Sequence, residues 1–321
     1  MRYYSIQITP KDSNNPPPTL LYNSQLKNGQ PNTSALQLMI DAPVTVYSLA
    51  ENSATIEIWG INQNDAKQCK SYNECLIDVY AGMQSGLPLA NPKQAGLILH
   101  GVIQQSFFNW IGTALVLNFV VMADTGLINK PANIQLQWLK GQKISDALTN
   151  CIGNAFPGPI FKTVINIEGD FIATKDNVGV YQNLSQLAWH INTMTKQMKD
   201  SYQGIDFYYK DNEIHIFDQP NPGGSKKISL ADMVQQPVLI EPLTMQCYLV
   251  LRGDLSIGDI IELPKTPYTT QSSSFSQYPS STKNSIMMPN SKYWIKKIRH
   301  FGNFRSANPL EWITIVDAVF A

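Results

Sequence analysis

The apolar residues of this chain change their spacing twice, and that change limits what it can fold into. In the first third they alternate with polar ones, as in Thr55-Ile56-Glu57-Ile58-Trp59. That is the period of a strand with one covered face. Tyr3 to Thr9, Ala35 to Val46, Leu76 to Gly82, Leu97 to Phe107 and Ala114 to Val121 have the same character, separated by Gly, Pro and Asn turn signals. The tract Pro16-Pro17-Pro18 continues neither a helix nor a central strand. Short strands at this spacing predict a small antiparallel barrel or sandwich, with a turn or one short helix between Trp59 and Leu76.

In the middle third the period becomes helical. Ile144, Leu148, Cys151 and Ile152 fall on one stripe, and Leu184, Leu187, Ala188, Ile191, Met194 and Met198 on another, with Asn183 placed to cap the second helix. Ile205 to Gln219 then reads as a hairpin turning at Lys210 to Asn212, and Pro220 to Gly224 as a linker. Strands return from about Val238: Met245 to Leu251, Ile257 to Leu263, Lys292 to Arg299 and Glu311 to Val319, with a turn expected at Gly302-Asn303. A polar stretch, 266–285, has the composition of a loop without a core. The order is β segment, α/β insert, β segment, with expected bounds 1–123, 124–236 and 237–321.

Composition excludes more than it assigns. With 43% hydrophobic residues, 15% charged ones and zero formal net charge, nothing global draws the chain to nucleic acid. The N-terminus lacks the apolar run of an export signal and no stretch of membrane-spanning length occurs, so synthesis and assembly in a cytoplasm are expected. Cys69, Cys75, Cys151 and Cys247 show no metal-ligand spacing and are expected to be free, buried thiols. There is no nucleophile elbow, phosphate loop, dinucleotide fingerprint or zinc-protease motif, and His100, His190, His215 and His300 are isolated. No catalytic residue, cofactor or metal site is expected. Arg252-Gly253-Asp254 spells a cell-adhesion tripeptide, but the turn chemistry of Gly and Asp explains it better.

One basic stretch needs a decision. Lys296, Lys297, Arg299, His300 and Arg305 lie among aromatics and would suit a phosphate patch, a catalytic cluster or a pair of wet strands. Strict alternation puts Tyr293, Ile295 and Lys297 on one face and Trp294, Lys296 and Ile298 on the other, which spreads the charge and favours a hairpin. The final strand is apolar on both faces, which suggests a covering on each side.

Leu251 to Pro264, with Gly258-Asp259, followed by His300, Gly302-Asn303, Arg305 and Trp312-Ile313-Thr314, resembles the C-terminal pattern of baseplate hub proteins of contractile phage tails and tailocins. Asn303 stands where that pattern usually has Asp. Thr55 to Asn62, Asp78 to Gly82 and Gly101-Val102-Ile103 are similar to the family's N-terminal part. The resemblance implies a β-rich α+β fold in which two similar small antiparallel β-barrel domains flank an inserted α/β module. It also implies a homotrimer whose six barrels form a ring, matching a sixfold tail tube to a trimeric central spike in a virion baseplate, with other baseplate proteins as neighbours and DNA passing through the channel. Trp294, Ile313, Ile315 and Val319 are the candidate assembly-interface residues, each open to packing either in a barrel core or in a subunit contact. Two other readings stay open: a tail-associated carbohydrate-binding module, which would expose aromatics such as Phe275 and Tyr278, and a tail-associated hydrolase.

Overall fold

The computed structural model describes residues 1–10, 20–45, 53–84, 87–122, 131–156, 162–169, 171–199, 202–210, 213–220, 224–241, 244–264 and 292–320. The N-terminal segment supplies β1 (Arg2–Thr9), β2 (Leu20–Asn23), β3 (Gln37–Thr45), β4 (Ala54–Trp59), α1 (Gln63–Gln68), β5 (Leu76–Met83), β6 (Gly96–Ile111) and β7 (Ala114–Met122). The middle supplies β8 (Ile134–Trp138), α2 (Ile144–Ala155), β9 (Lys162–Asn166), β10 (Asn177–Tyr181), α3 (Leu184–Met198), β11 (Asp206–Lys210) and β12 (Glu213–Phe217). The C-terminal segment adds β13 (Ser225–Lys227), β14 (Met233–Glu241), β15 (Thr244–Val250), β16 (Ile260–Glu262), β17 (Lys292–Asn303) and β18 (Trp312–Phe320). The 266–285 loop, the Pro tract, Phe275 and Tyr278 lie outside the described residues.

Two compact units result, one of 1–44, 52–125 and 221–321, the other of 45–51 and 126–220. In the first, both β segments belong to a single 13-stranded sheet, in the order β14-β15-β18-β17-β3-β4-β7-β6-β5-β1-β2, with β16 on β17 and β13 on β16. Nearly all of its pairings are antiparallel, β13 with β16 being parallel. Among the described residues the strands do not close into a barrel. Alternation is translated directly into burial: on β4, Ile56 and Ile58 are buried while Thr55 is exposed. Each such aliphatic side chain stabilises the fold by about 1.5–3 kcal/mol.

Two apolar clusters line this sheet. One gathers Ile6, Leu38, Ile56, Ile77 and Phe119 of the N-terminal segment and includes Leu251 and Trp312 from the C-terminal one. The other gathers Cys247, Leu249, Ile261, Ile295 and Val316, with Val44 packed against it. Each segment therefore lends side chains to the other's core.

The second unit has its own core. Helix α2 buries Ile144, Leu148, Cys151 and Ile152, and α3 buries Leu184, Leu187, Ala188 and Ile191. Met198 in the last turn of α3 is exposed, out of reach of the stripe's cover. Asn183 caps α3, its side chain accepting from Gln186 N at 3.0 Å. The unit also holds the expected hairpin, β11 with β12, extended by β9 in parallel, and a separate pair, β8 with β10.

Candidate assembly site

The short motifs marked in the sequence meet at the joint between the two β segments. Trp312 Nε1 donates to Gly82 O at 3.0 Å, joining the last strand to β5. Arg305 donates through its backbone N to Gln37 Oε1 at 3.1 Å and through its guanidinium to Ala35 O at 2.5 Å. Asn303 Oδ1 accepts from Gln37 Nε2, and Phe304 N donates to Leu38 O at 2.8 Å. Arg2 reaches back across the same joint, donating to Asn303 O at 2.6 Å and Asn308 O at 2.8 Å. Gly258-Asp259 is a staple within the C-terminal segment: Gly258 N donates to Ile295 O, and Ile295 N to Asp259 O, each at 2.9 Å. Gly258 has φ +87°, a left-handed conformation that favours glycine.

Gly302-Asn303 is not a turn. It lies inside β17, and the chain turns after it, through 304–311. Glycine is used here for space, since a Cβ at 302 would stand 2.9 Å from both Ile40 Cγ2 and Trp312 Cζ3.

The arginine of the Arg-Gly-Asp tripeptide is buried in the same joint. Arg252 is 1% exposed, and its Nε and Nη2 donate to Asp254 at 2.6 and 2.8 Å. Its Nη1 lies 3.8 Å from buried Asp232 and makes no hydrogen bond. Burial opposes ionisation of Asp254, but the Arg252 hydrogen bonds and charge outweigh it and hold that carboxyl below its usual range. Asp254 also accepts from Asn91 Nδ2 at 2.8 Å, and Gly253 N donates to Gln94 O at 2.9 Å. The backbones touch there: a Cβ on Gly253 would fall 2.5 Å from the Gly96 carbonyl carbon. An Arg enclosed in this way is unavailable to an adhesion receptor.

The β17–β18 hairpin carries a bulge between Ile295 and Lys297 that sequence alternation did not anticipate. The extra residue shifts the phase, so Tyr293, Ile295, Ile298 and His300 are all buried, while Lys297 and Arg299 share the outer face. Basic residues are thus concentrated on one side rather than spread over both. They do not form a phosphate clamp, because Arg299 pairs with Asp41 at 2.5 Å, Lys297 stands opposite Asp317, and the Lys296 ammonium sits 3.5 Å from the Trp294 ring centroid. His300 is fully enclosed, its Nδ1 3.0 Å from Thr314 Oγ1, and burial lowers its pKa to about 4.

Of the four candidate interface residues, Trp294 (5% exposed) and Ile313 (4%) are already covered within the chain. Ile315 and Val319 are half-buried. Ile313, Ile315 and Val319 share the outer face of β18, since Val316 and Ala318 point into the core and Trp312 into the neighbouring cluster.

A more exposed apolar surface lies on β6–β7, where sequence reading stopped the first strand at Phe107. The strand runs on to Ile111 and pairs with β7 up to Ile111–Ala114. Phe107, Phe108, Trp110 and Ile111 are 36%, 46%, 75% and 47% exposed. Since neighbours along a strand point to opposite sides, this tip is apolar on both faces. The sequence signal was there: four large apolar residues within five positions, in place of alternation.

Among the described residues no group of three His, Cys, Asp or Glu side chains is placed to hold a metal. None of the four cysteines is in a disulfide, and all are buried. His100 pairs with Asp78 at 2.6 Å, His215 stacks on Tyr208 at 4.6 Å and His190 lies 5.2 Å from the Tyr181 ring, so the histidines occupy separate structural settings.

No family model and no curated protein matches the sequence. Solved structures do. The tail protein from Neisseria meningitidis MC58 matches over 99% of this chain and 96% of its own, with a TM-score of 0.54 at 8% identity. The 43 kDa tail protein of prophage MuSo2 from Shewanella oneidensis matches over 100% and 97%, with a TM-score of 0.53 at 7% identity. The E. coli c3393 protein, a component of the type VI secretion system with structural similarity to T4 bacteriophage tail proteins gp27 and gp5, matches over 90% and 75%, with a TM-score of 0.51 at 9% identity. The chain has the fold of phage-tail and type VI secretion proteins.

Proposed function

We propose that the chain is a structural component of a contractile tail and serves as its baseplate hub. In this reading 1–123 and 237–321 act as two similar barrel-like tube domains, three copies form a ring of six, and the ring joins a sixfold tail tube to a trimeric central spike. It would stand in the virion baseplate beside other baseplate proteins, with DNA passing through the channel without sequence-specific contacts. The observation that carries the proposal is the fold match over nearly the whole chain to two phage-type tail proteins, each itself covered almost end to end. The two-faced apolar tip of β6–β7, and Ile315 and Val319 on the outer face of β18, supply surface for subunit contacts.

The test is the mass of the purified protein by light scattering over a dilution series. A species near three times 35.9 kDa supports the ring. A monomer at every concentration, also after mixing with the tube and spike proteins of the same tail, overturns it.

A further inference from the structure

Between β8 and α2, within the inserted unit, lies an open cleft of about 440 Å³. It is lined by an unusual set: Asn133, Gln135, Gln137, Gln142, Asn150 and Asn154 supply six amides, and none of its eleven lining residues is charged. The arrangement follows from the two periods that meet there. Gln135 and Gln137 are the outward residues of β8, whose inward partners Ile134, Leu136 and Trp138 are in the core, and Asn133 immediately precedes the strand. Asn150 and Asn154 stand one turn apart on the outer flank of α2, above buried Ala147 and Cys151. The Gln142 amide accepts from Leu139 N at 3.1 Å. The side chains of Asn133, Gln135, Gln137, Asn150 and Asn154 make no hydrogen bond within the described protein.

We propose that this cleft binds a neutral oligosaccharide. Each amide offers two donors and a two-lone-pair acceptor, which matches the paired hydroxyls of a sugar, each both donor and acceptor. Leu139, with Ala155, supplies the small apolar area that the C–H face of a pyranose needs. The absence of charge disfavours a phosphate or an acidic glycan, which would require a cation in the lining. A peptide added along β8 would need apolar pockets for its alternate side chains, and the lining is mostly amide. The site is independent of the hub reading, since it requires neither a ring nor a spike.

The experiment uses the full chain on an array of neutral and acidic oligosaccharides, followed by saturation-transfer NMR with the neutral glycans that bind. The doubly substituted variant Gln137→Leu, Asn150→Leu is measured in parallel. Both positions are exposed, so its melting temperature is expected to stay at the wild-type value. Binding of at least one neutral oligosaccharide, weakened about tenfold or more in the variant, supports the site. Silence across the neutral glycans, binding only of acidic ones, capture of an extended peptide instead, or binding that the double substitution leaves unchanged each overturns it. Light scattering on the same samples reads the oligomeric state separately, so failure of the ring and failure of the cleft are told apart.

Discussion

The hairpins β17–β18 and β6–β7 are both long antiparallel pairs rich in aromatic residues, yet they treat their aromatics in opposite ways. In β17–β18, Trp294 and Trp312 are 5% and 2% exposed, and the joint between the two β segments is built around the second of them. In β6–β7, Trp110 is 75% exposed on a tip that is apolar on both sides. The difference comes from what flanks each strand. β17 has β18 on one edge and β16 and β3 on the other, whereas the pairing of β6 with β5 reaches only to Val102, leaving its last residues held by β7 alone. A strand held on both edges becomes scaffold, and one that outruns its neighbour becomes a surface available to another chain.

Breaking the scaffold should cost most at its enclosed charge. Arg252→Leu removes the enclosed cation beside buried Asp232 and half-buried Asp254, and a loss of about 3–5 kcal/mol in denaturant unfolding is expected. A wild-type-like midpoint would show that the joint does not depend on this ion pair. Next comes acidification. The folded pKa of His300 is about 4 against 6.5 for a free histidine, so the unfolded chain takes up its proton first as the pH falls. The stability supplied by the neutral, buried ring is fully present above pH 6.5 and is lost between 6.5 and about 4, by roughly 3 kcal/mol in all. In His300→Gln this component of the pH dependence should vanish, which melting curves at several pH values would reveal.

Gly302→Ala is a subtler probe of the same region. Its Cβ would crowd Ile40 and Trp312 at 2.9 Å, and a cost of about 1–3 kcal/mol is expected, larger than a turn glycine with ordinary φ would show. The smallest effect on stability belongs to the other hairpin. Trp110→Ser with Phe108→Ser should move the folding free energy by no more than about 0.5 kcal/mol per site, while shifting the mass distribution in light scattering toward the monomer. If this double variant assembles as the wild type does, the tip is not a subunit contact and the contrast between the hairpins loses its functional meaning.

Legibility in the sequence followed the range of the interactions. The Asn183 cap and the α3 stripe could be read because their partners lie within one or two turns. The short strands β8, β9 and β10 escaped notice because five residues each, in a context of helical periodicity, give too few alternations to stand out. The motif residues were visible but their roles were not: Gly302 read as a turn and proved to be clearance beneath Trp312. Half of the assembly candidates proved to be covered within the chain, while the most exposed aromatic surface was passed over. The amide cleft had no linear signature, since its members come from a strand and a helix read separately.

By itself the sequence determined the order β, α/β, β, the helix faces and cap, and the absence of any familiar catalytic motif, because these are set by side-chain period and by residues close along the chain. The tertiary structure decided that the two β segments share one sheet, that the bulge at 295–297 turns the basic residues to one side, and that Arg252 is enclosed rather than displayed. The physical reason is separation. Arg299 meets Asp41 across 258 positions and Trp312 meets Gly82 across 230, and contacts between such distant residues leave no trace in any local pattern.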